Sequence, residues 1–138
     1  MCFIKTINFI VDSRHYITKI LDEDIIVIKV LCRKSVNRIF FKKHIYYSPY
    51  RNYKYIKGKL NISPLGIFIS RMSTNYDYRI VINEGFHSFR TKEDAYKSEL
   101  INESRAVLCK CIIPKGSTVV YNDSEIVSNQ IIFIEELK

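Results

Sequence analysis

A histidine and a glutamate in the last third of the chain are the residues best suited to chemistry. His87 follows Gly85-Phe86, and Glu125 follows the polar turn Asn122-Asp123-Ser124. Histidine changes its charge near neutral pH, so His87 is a candidate for a functional role, and Glu125 is a candidate because of its carboxylate. A lone histidine is also commonly a hydrogen-bonded structural residue, and a glutamate beside a turn is commonly a solvated acid. Both interpretations stay open for each residue.

The remaining reactive side chains form no catalytic motif. Ser88 or Ser128 would need a neighbouring base and an oxyanion site to act as a nucleophile, and the local sequence indicates neither. The stretch Lys115-Gly116-Ser117 lacks the upstream glycine and the following helix of a phosphate-binding loop. We therefore predict a turn there.

The cysteines predict buried, reduced thiols and no metal site. The chain has four of them, Cys2, Cys32, Cys109 and Cys111. They form neither a Cys-x-x-Cys pair nor a Cys/His cluster with zinc spacing. Reduced thiols are typical of the cytoplasm.

The first residues lack the features of a signal peptide, and no apolar run is long enough to span a membrane, so no membrane partner is expected.

The positive charge of the chain comes from one segment. The formal net charge is +8, and residues 25–76 contain eleven lysines and arginines with no aspartate or glutamate. We call these residues the acid-free segment. Such a segment attracts a polyanion or a phosphate-bearing ligand. A solvated basic surface that binds nothing is the alternative.

Tyrosines alternate with cations within the acid-free segment. The tyrosines are Tyr46, Tyr47, Tyr50, Tyr53 and Tyr55, and the cations among them include Lys42, Lys43, Arg51, Lys54 and Lys57. Aromatic rings of this kind could stack on bases while the cations hold phosphates. Equally, the tyrosines could be half-buried strand residues with their hydroxyls at the surface.

Hydrophobic patterning predicts one domain over residues 1–138, with a helical N-terminal segment over 1–24 and a β-rich core over 25–138. Residues 25–32 are nearly all apolar and β-branched, which is typical of a central strand buried on both faces. A turn over 33–37 and a second strand over 38–41 are predicted next. Residues 67–69 and 78–82 are further strand candidates.

The second half of the chain predicts one helix and three strands. Thr91 can cap a helix that has acids in its first turn, and this helix is predicted to run to about residue 103. The predicted strands cover residues 106–113, 118–121 and 126–134, with a turn at 114–117 after the first. The fold class is therefore α+β, a mixed and mostly antiparallel sheet with one or two short helices.

Several segments resemble small uncharacterised proteins of gut bacteriophages and their hosts. The segments are Asp24 to Leu31, Ser48-Pro49-Tyr50, Glu84-Gly85-Phe86-His87-Ser88-Phe89, Cys111 to Ser117 and Glu125 to Ile131. The resemblance covers most of the chain after residue 24. It implies a phage or prophage origin and a place in the cytoplasm of an infected or lysogenic host cell, but no established activity.

More distantly, the order of elements is similar to the ADP-ribosyltransferase fold, which includes the poly-ADP-ribose polymerases. The matching positions are Gly85 to Ser88, Ala95, Ile112 to Gly116, Glu125 and Gln130. This resemblance implies that Glu125 binds a ribose hydroxyl and stabilises an oxocarbenium ion, and that His87 stands where a tyrosine stacks on nicotinamide. In that family, a His or Arg on the first long strand binds the cofactor. In this chain, the first long strand has only Lys29 or Arg33 for that role. This departure favours a degenerate fold that binds a nucleotide without reacting it.

We therefore predict a protein that binds an anionic nucleotide, NAD-derived or a cyclic signal, and counters host defence. The predicted ligand-binding residues are Lys29, Arg33, Tyr50, Arg51, Tyr53, Lys54, His87, Ser88, Glu125 and Gln130. His87 and Glu125 are also the catalytic candidates. One alternative is an ADP-ribosyltransferase or NAD-cleaving enzyme with Glu125 as its acid. Another is a basic module, from Lys42 to Lys59, that binds nucleic acid or a host protein.

Overall fold

A computed structural model describes residues 9–10, 17–37, 39–49, 53–64, 66–73 and 78–137. It is mostly antiparallel β-sheet with one short α-helix and one 3-10 helix, which confirms the predicted class. The strands are β1 (Phe9–Ile10), β2 (Ile17–Ile20), β3 (Ile25–Asn37), β4 (Lys42–Tyr47), β5 (Lys54–Tyr55), β6 (Leu60–Ile62), β7 (Phe68–Ser73), β8 (Tyr78–Glu84), β9 (Phe86–Phe89), β10 (Ala106–Ile113), β11 (Thr118–Tyr121), β12 (Glu125–Ser128) and β13 (Gln130–Glu136). The helix α1 spans Lys92–Lys97, and the 3-10 helix spans Glu99–Asn102.

The strands β3 and β10 form the centre of the larger sheet. They pair antiparallel from Ile25 opposite Ile113 to Cys32 opposite Ala106. Residues 27–32 of β3 are all buried, because apolar clusters lie on both of its faces. The predicted central strand over 25–32 is confirmed as buried on both faces from residue 27 to 32, whereas Ile26 is 61% exposed. The strand predicted over 106–113 has the predicted bounds.

Two apolar clusters explain this burial. One is formed by side chains of β3, β9, β10, β11, β12 and β13, including Leu31, Phe86, Cys111, Ile126 and Phe133. The other lies on the opposite face of β3, where Ile28, Val30, Phe89 and Leu108 pack with Ala95 of α1 and Leu100 of the 3-10 helix. We call the first the inner cluster and the second the helix-side cluster. The thiols of Cys109 and Cys111 belong to the inner cluster, as predicted for core cysteines.

The larger sheet curls back on its own chain. Its strand order is β2-β11-β12-β9-β3-β10-β13-β6, and only Asn129 separates β12 from β13. Following the hydrogen-bonded neighbours from β12 through β9, β3 and β10 leads to β13. In sequence, β13 comes directly after β12 and Asn129, so this series ends near the strand from which it began. The single closing strand predicted over 126–134 is two strands, since Asn129 turns its amide toward the carbonyl of Thr118 (3.2 Å).

The helix after β9 begins where predicted and ends earlier. The hydroxyl of Thr91 accepts a hydrogen bond from the amide of Asp94, as a capping residue should. Ser98 has an extended backbone, and its hydroxyl accepts from the amide of Leu100. This serine competes with continued helix, so the chain restarts as a 3-10 helix instead of running unbroken to residue 103.

The helix predicted over residues 1–24 is wrong wherever the structure describes that segment. Phe9–Ile10 and Ile17–Ile20 are strands. The second of these pairs with β11, from Ile17 opposite Tyr121 to Ile20 opposite Thr118. The spacing of apolar residues suited a helix, but β-branched residues beside an available strand edge favour the sheet.

The turn predicted over 33–37 and the strand predicted over 38–41 are also wrong. The strand β3 continues to Asn37 because β4 supplies a partner, with Arg33 opposite Tyr46 and Asn37 opposite Lys42. The chain reverses between those strands, and Ile39, Phe40 and Phe41 lie at the reversal. An apolar run was mistaken for a strand, whereas these three side chains are exposed.

The smaller sheet contains three antiparallel strands in the order β1-β8-β7. Its strands β7 and β8 confirm the strands predicted at 67–69 and 78–82. Within the described ranges, no helix has the length and apolar character that crossing a membrane requires.

Candidate functional site

The sheet brings His87 and Glu125 together. Strands β9 and β12 pair with Val127 opposite His87 and Glu125 opposite Phe89. His87 and Glu125 are therefore diagonal neighbours on one face, and His87 Nε2 lies 3.5 Å from Glu125 Oε2. This contact joins two residues 38 positions apart in sequence, which are the two catalytic candidates.

Burial limits what this pair can do. His87 is only 3% exposed, and within the described part of the chain neither ring nitrogen makes a hydrogen bond. Burial lowers the pKa of His87, while the neighbouring Glu125 opposes that shift. The imidazole is therefore neutral at neutral pH. The neutral imidazole contacts the carboxylate of Glu125. It lacks the direct access to solvent that a residue needs to exchange protons with water.

Gly85 makes the close packing beside His87 possible. Its φ is +124°, a backbone conformation that side chains rarely adopt. A Cβ at this position would lie 2.6 Å from Val127 Cγ1 and 3.3 Å from the carbonyl oxygen of Ser128. Only glycine therefore lets β8 pass into β9 at this distance from β12.

Lys29 is buried in the core, and its side chain is not accessible to solvent. It projects from β3 on the same side as Val27 and Leu31, opposite Cys109 of β10, and is 0% exposed. Its ammonium donates a hydrogen bond to the carbonyl oxygen of His87 and lies 5.7 Å from the ring centroid of Tyr55. Lys29 therefore ties β3 to β9, where the two strands share one register pair, Ile28 opposite Phe89.

The other predicted ligand-binding residues are dispersed. Ser88 donates to the carbonyl oxygen of Ile126 (3.2 Å) and is buried, on the face of β9 opposite His87. The Tyr53 hydroxyl donates to Asn61 Oδ1 (2.9 Å), and the Ser117 hydroxyl lies 3.5 Å from Gln130 Oε1. Lys54 is exposed. Tyr50 and Arg51 lie outside the described residues.

Arg33 lies in a basic cleft that the sequence did not indicate. The cleft has a volume of about 460 Å³ and is lined by Arg33, Lys34, Ser35, Arg105, Ala106 and Val107. The amide of Arg33 donates to the carbonyl oxygen of Arg105 (2.9 Å), which holds the two walls together. Arg105 has φ +68°, so its backbone turns sharply into β10.

The charges in the basic cleft are unequally paired. Arg33 Nη1 binds both carboxylate oxygens of Glu136, at 2.9 and 3.1 Å, and the Tyr46 hydroxyl donates to the same carboxylate. Burial and the adjacent Glu136 raise the pKa of Tyr46 to about 12, so this hydroxyl stays a donor. Lys34 and Arg105 are exposed, and neither pairs with an acid among the described residues. Two unneutralised cations therefore flank the cleft.

A second, smaller cleft adjoins the basic cleft. It measures about 250 Å³ and is lined by Lys92, Tyr96, Ile101, Ala106, Val107, Leu108, Glu136 and Leu137. We call it the tyrosine cleft. Ala106 and Val107 line both clefts, so the two adjoin along the start of β10. Cations lie at one end and an exposed aromatic ring lies at the other.

Sequence reasoning missed Lys34 and Arg105 for a physical reason. Each is one of many surface cations, and neither carries a motif. They meet only because β3 pairs with β10 in one register and because Arg105 adopts a left-handed backbone. The absence of acids around Lys34 was the one available signal.

Comparison of the chain with protein-family models, with curated proteins and with solved structures finds no significant match. The resemblances to phage proteins and to ADP-ribosyltransferases thus stay predictions from sequence.

Proposed function

We propose that the protein binds a small phosphate-bearing anion, a nucleotide, in the basic cleft. The observation that carries the proposal is the pair of exposed cations, Lys34 and Arg105, that flank a cleft of about 460 Å³ and pair with no acid among the described residues. Pockets of roughly 300–1,000 Å³ accommodate small ligands and cofactors. Arginine binds phosphate through two parallel hydrogen bonds, which gives orientation as well as affinity.

The adjoining clefts suggest how a nucleotide would lie. Its phosphates would contact Lys34 and Arg105, with the Arg33–Glu136 pair behind them as a fixed wall. Its base would extend toward Tyr96 in the tyrosine cleft, where an exposed ring offers a surface for stacking. The sugar would lie at the start of β10, where Ala106 and Val107 line both clefts.

The biological setting of this proposal comes from sequence resemblance. A phage-type protein that holds an NAD-derived or cyclic nucleotide would remove a signal from host defence. The likeness to phage proteins supports that setting, and the basic cleft supports the ligand class.

The proposal is tested by isothermal titration with a panel of NAD, ADP-ribose, AMP, a cyclic dinucleotide and inorganic phosphate. We expect at least one nucleotide to bind, and Lys34→Ala or Arg105→Ala to weaken it by about tenfold each, because a charge-assisted hydrogen bond is lost. Lys97→Ala and Lys115→Ala remove exposed cations elsewhere and should leave the affinity unchanged. The absence of heat for every member of the panel would refute the proposal, as would equal losses in the control variants.

A second candidate function is supported by the His87–Glu125 contact of 3.5 Å. In a degenerate ADP-ribosyltransferase-like fold, Glu125 would stabilise the positive charge that forms when NAD loses nicotinamide. Glu125→Gln should then abolish nicotinamide release, while Glu135→Gln, an exposed acid on β13, should not. Release at the same rate in wild type and Glu125→Gln would rule out this mechanism.

A further inference from the structure

The hairpin formed by β3 and β4 extends beyond the body of the sheet. The last residue of β3 that pairs with β10 is Cys32, and β4 pairs with β5 only at Tyr46 and Tyr47. Between these points, residues 34–37 pair with residues 42–45 and with no other described strand. We call residues 34–37 and 39–45 the arm. From the register pair at its base, Arg33 with Tyr46, to the pair nearest its tip is four residues, or about 13 Å.

The tip of the arm is apolar and almost completely exposed. Ile39 is 91% exposed, Phe40 is 93% exposed and Phe41 is 63% exposed. The first two are the most exposed large apolar side chains among the described residues. Three adjacent apolar residues at the end of a projecting hairpin contribute nothing to the core. Their exposure indicates a contact with another molecule.

Cations line both faces of the arm. Residues alternate in side along each strand, so Lys42 lies on one face with Asn37, and Lys34 and Lys43 lie on the other. All three lysines are exposed, and no described acid pairs with them. The surrounding acid-free segment carries no negative charge of its own. The arm is therefore complementary to a polyanion that has negative charge on both sides.

We propose that the arm enters the major groove of B-form DNA. That groove is about 12 Å wide, admits a two-stranded β-ribbon and has a phosphate backbone along each wall. The lysines would contact the two walls, while Phe40 and its neighbours reach the base edges. At those edges the thymine methyl group is the apolar partner. Double-stranded RNA fits less well because its major groove is narrow and deep.

The position of Lys34 favours DNA over a lipid surface. Lys42 and Lys43 lie beside the tip, but Lys34 is three residues, or about 10 Å, from the register pair nearest the tip. That distance exceeds the Debye length of about 8 Å at physiological ionic strength, so a membrane that took the tip would leave Lys34 screened from the headgroups. In a groove, by contrast, phosphates accompany the whole arm. The polar Ser35–His44 pair (3.0 Å) at mid-arm also suits a hydrated groove.

The first test measures binding to a fluorescent duplex of about two helical turns by anisotropy at several salt concentrations. We expect affinity to fall steeply with salt, and the double variant Lys42→Ala/Lys43→Ala to reduce the slope of log K against log salt by about 2. The matched control Lys97→Ala/Lys115→Ala should keep the slope. All four lysines are exposed, so each variant should fold, which circular dichroism would check.

The second test isolates the tip. Phe40→Ala should weaken binding by about tenfold without changing the salt slope, whereas the control Ile56→Ala, an exposed apolar residue outside the arm, should not. Replacing thymine by deoxyuridine removes the methyl groups. Wild type should then lose about fourfold in affinity for each contacted methyl, and Phe40→Ala should lose none of it.

Three outcomes would overturn the proposal. These are the absence of salt-dependent DNA binding, equal effects of arm and control variants, and equal affinity for thymine and deoxyuridine duplexes. Binding to phosphatidylserine vesicles that requires Phe40, without DNA binding, would assign the arm to a membrane surface instead. None of the tested residues lines the basic cleft, so failure here and failure of nucleotide binding are separate results.

Discussion

The two halves of β3 use the same residue types for opposite purposes. Residues 25–32 pair with β10, and Ile28 also pairs with β9, so that residues 27–32 are buried. Residues 33–37 pair with β4, and with no other described strand, and form one side of the projecting hairpin. A lysine lies in each half. Lys29 is fully buried and donates a hydrogen bond to the carbonyl oxygen of His87, whereas Lys34 is exposed and pairs with no acid in the described part of the chain.

The buried lysine stabilises the fold, whereas the exposed lysine can bind a ligand. A buried ammonium is costly unless it is hydrogen-bonded, so Lys29 is committed to holding β9 and cannot bind an external ligand at the same time. An exposed and unpaired ammonium keeps its charge available to an anion. The residues that most resembled a catalytic set are thus a buried histidine, His87, and a partly buried acid, Glu125. Those suited to bind a ligand carry no motif.

The largest expected effect comes from Lys29. Lys29→Ala leaves a cavity in the inner cluster and an unpaired carbonyl at His87, and should lower the free energy of unfolding by about 3 kcal/mol. Lys29→Met keeps most of the packing and should cost about 1 kcal/mol. Urea denaturation monitored by tyrosine fluorescence would measure both.

Lys34→Ala is the matched control for that comparison. It removes the same charge from the same strand, and should change the unfolding free energy by less than about 0.5 kcal/mol, because exposed side chains contribute little. If Lys29→Ala were no more destabilising than Lys34→Ala, the two halves of β3 would not differ as described.

The fold was predictable where local chemistry and tertiary context agree. The apolar β-branched run at 25–32, the capping Thr91 and the strand at 106–113 each carry a local signal that the sheet then uses. The N-terminal segment was mispredicted because its apolar spacing suited a helix, while the edge of β11 offered it strand pairing. This pairing depends on the position of β11, a strand that is distant in sequence. The local sequence of the N-terminal segment does not encode that position.

The candidate sites show the same division. His87 and Glu125 were each candidates through the resemblance to ADP-ribosyltransferases, whereas their contact at 3.5 Å comes from the β9–β12 register. The basic cleft was not predictable, because it depends on the positive φ of Arg105 and on the point where β10 stops pairing with β3. The arm was hidden for a related reason: an exposed apolar tip looks like a strand in the sequence.

The buried half of the molecule also predicts that stability depends on pH. Burial lowers the pKa of His87 below its ordinary value near 6.5. The unfolded chain therefore binds a proton at this residue before the folded protein does. Its contribution to stability is complete above about pH 6.5 and is lost as the pH falls toward the lowered pKa, by at most about 1.4 kcal/mol per pH unit.

Substitution of the two described histidines separates this effect from the titration of the acids. His87→Gln cannot titrate, so the difference in unfolding free energy between wild type and this variant should shrink or change sign between pH 7 and pH 5. His44 is exposed on the arm, and His44→Gln should keep the wild-type dependence. Urea denaturation at half-unit pH steps would measure both. A wild-type pH profile retained in His87→Gln would mean that His87 does not resist protonation, and that the pair it forms with Glu125 is open to solvent. The distinction between buried residues that stabilise the fold and exposed residues that can bind a ligand would then not hold at His87 and Glu125, where catalysis was predicted.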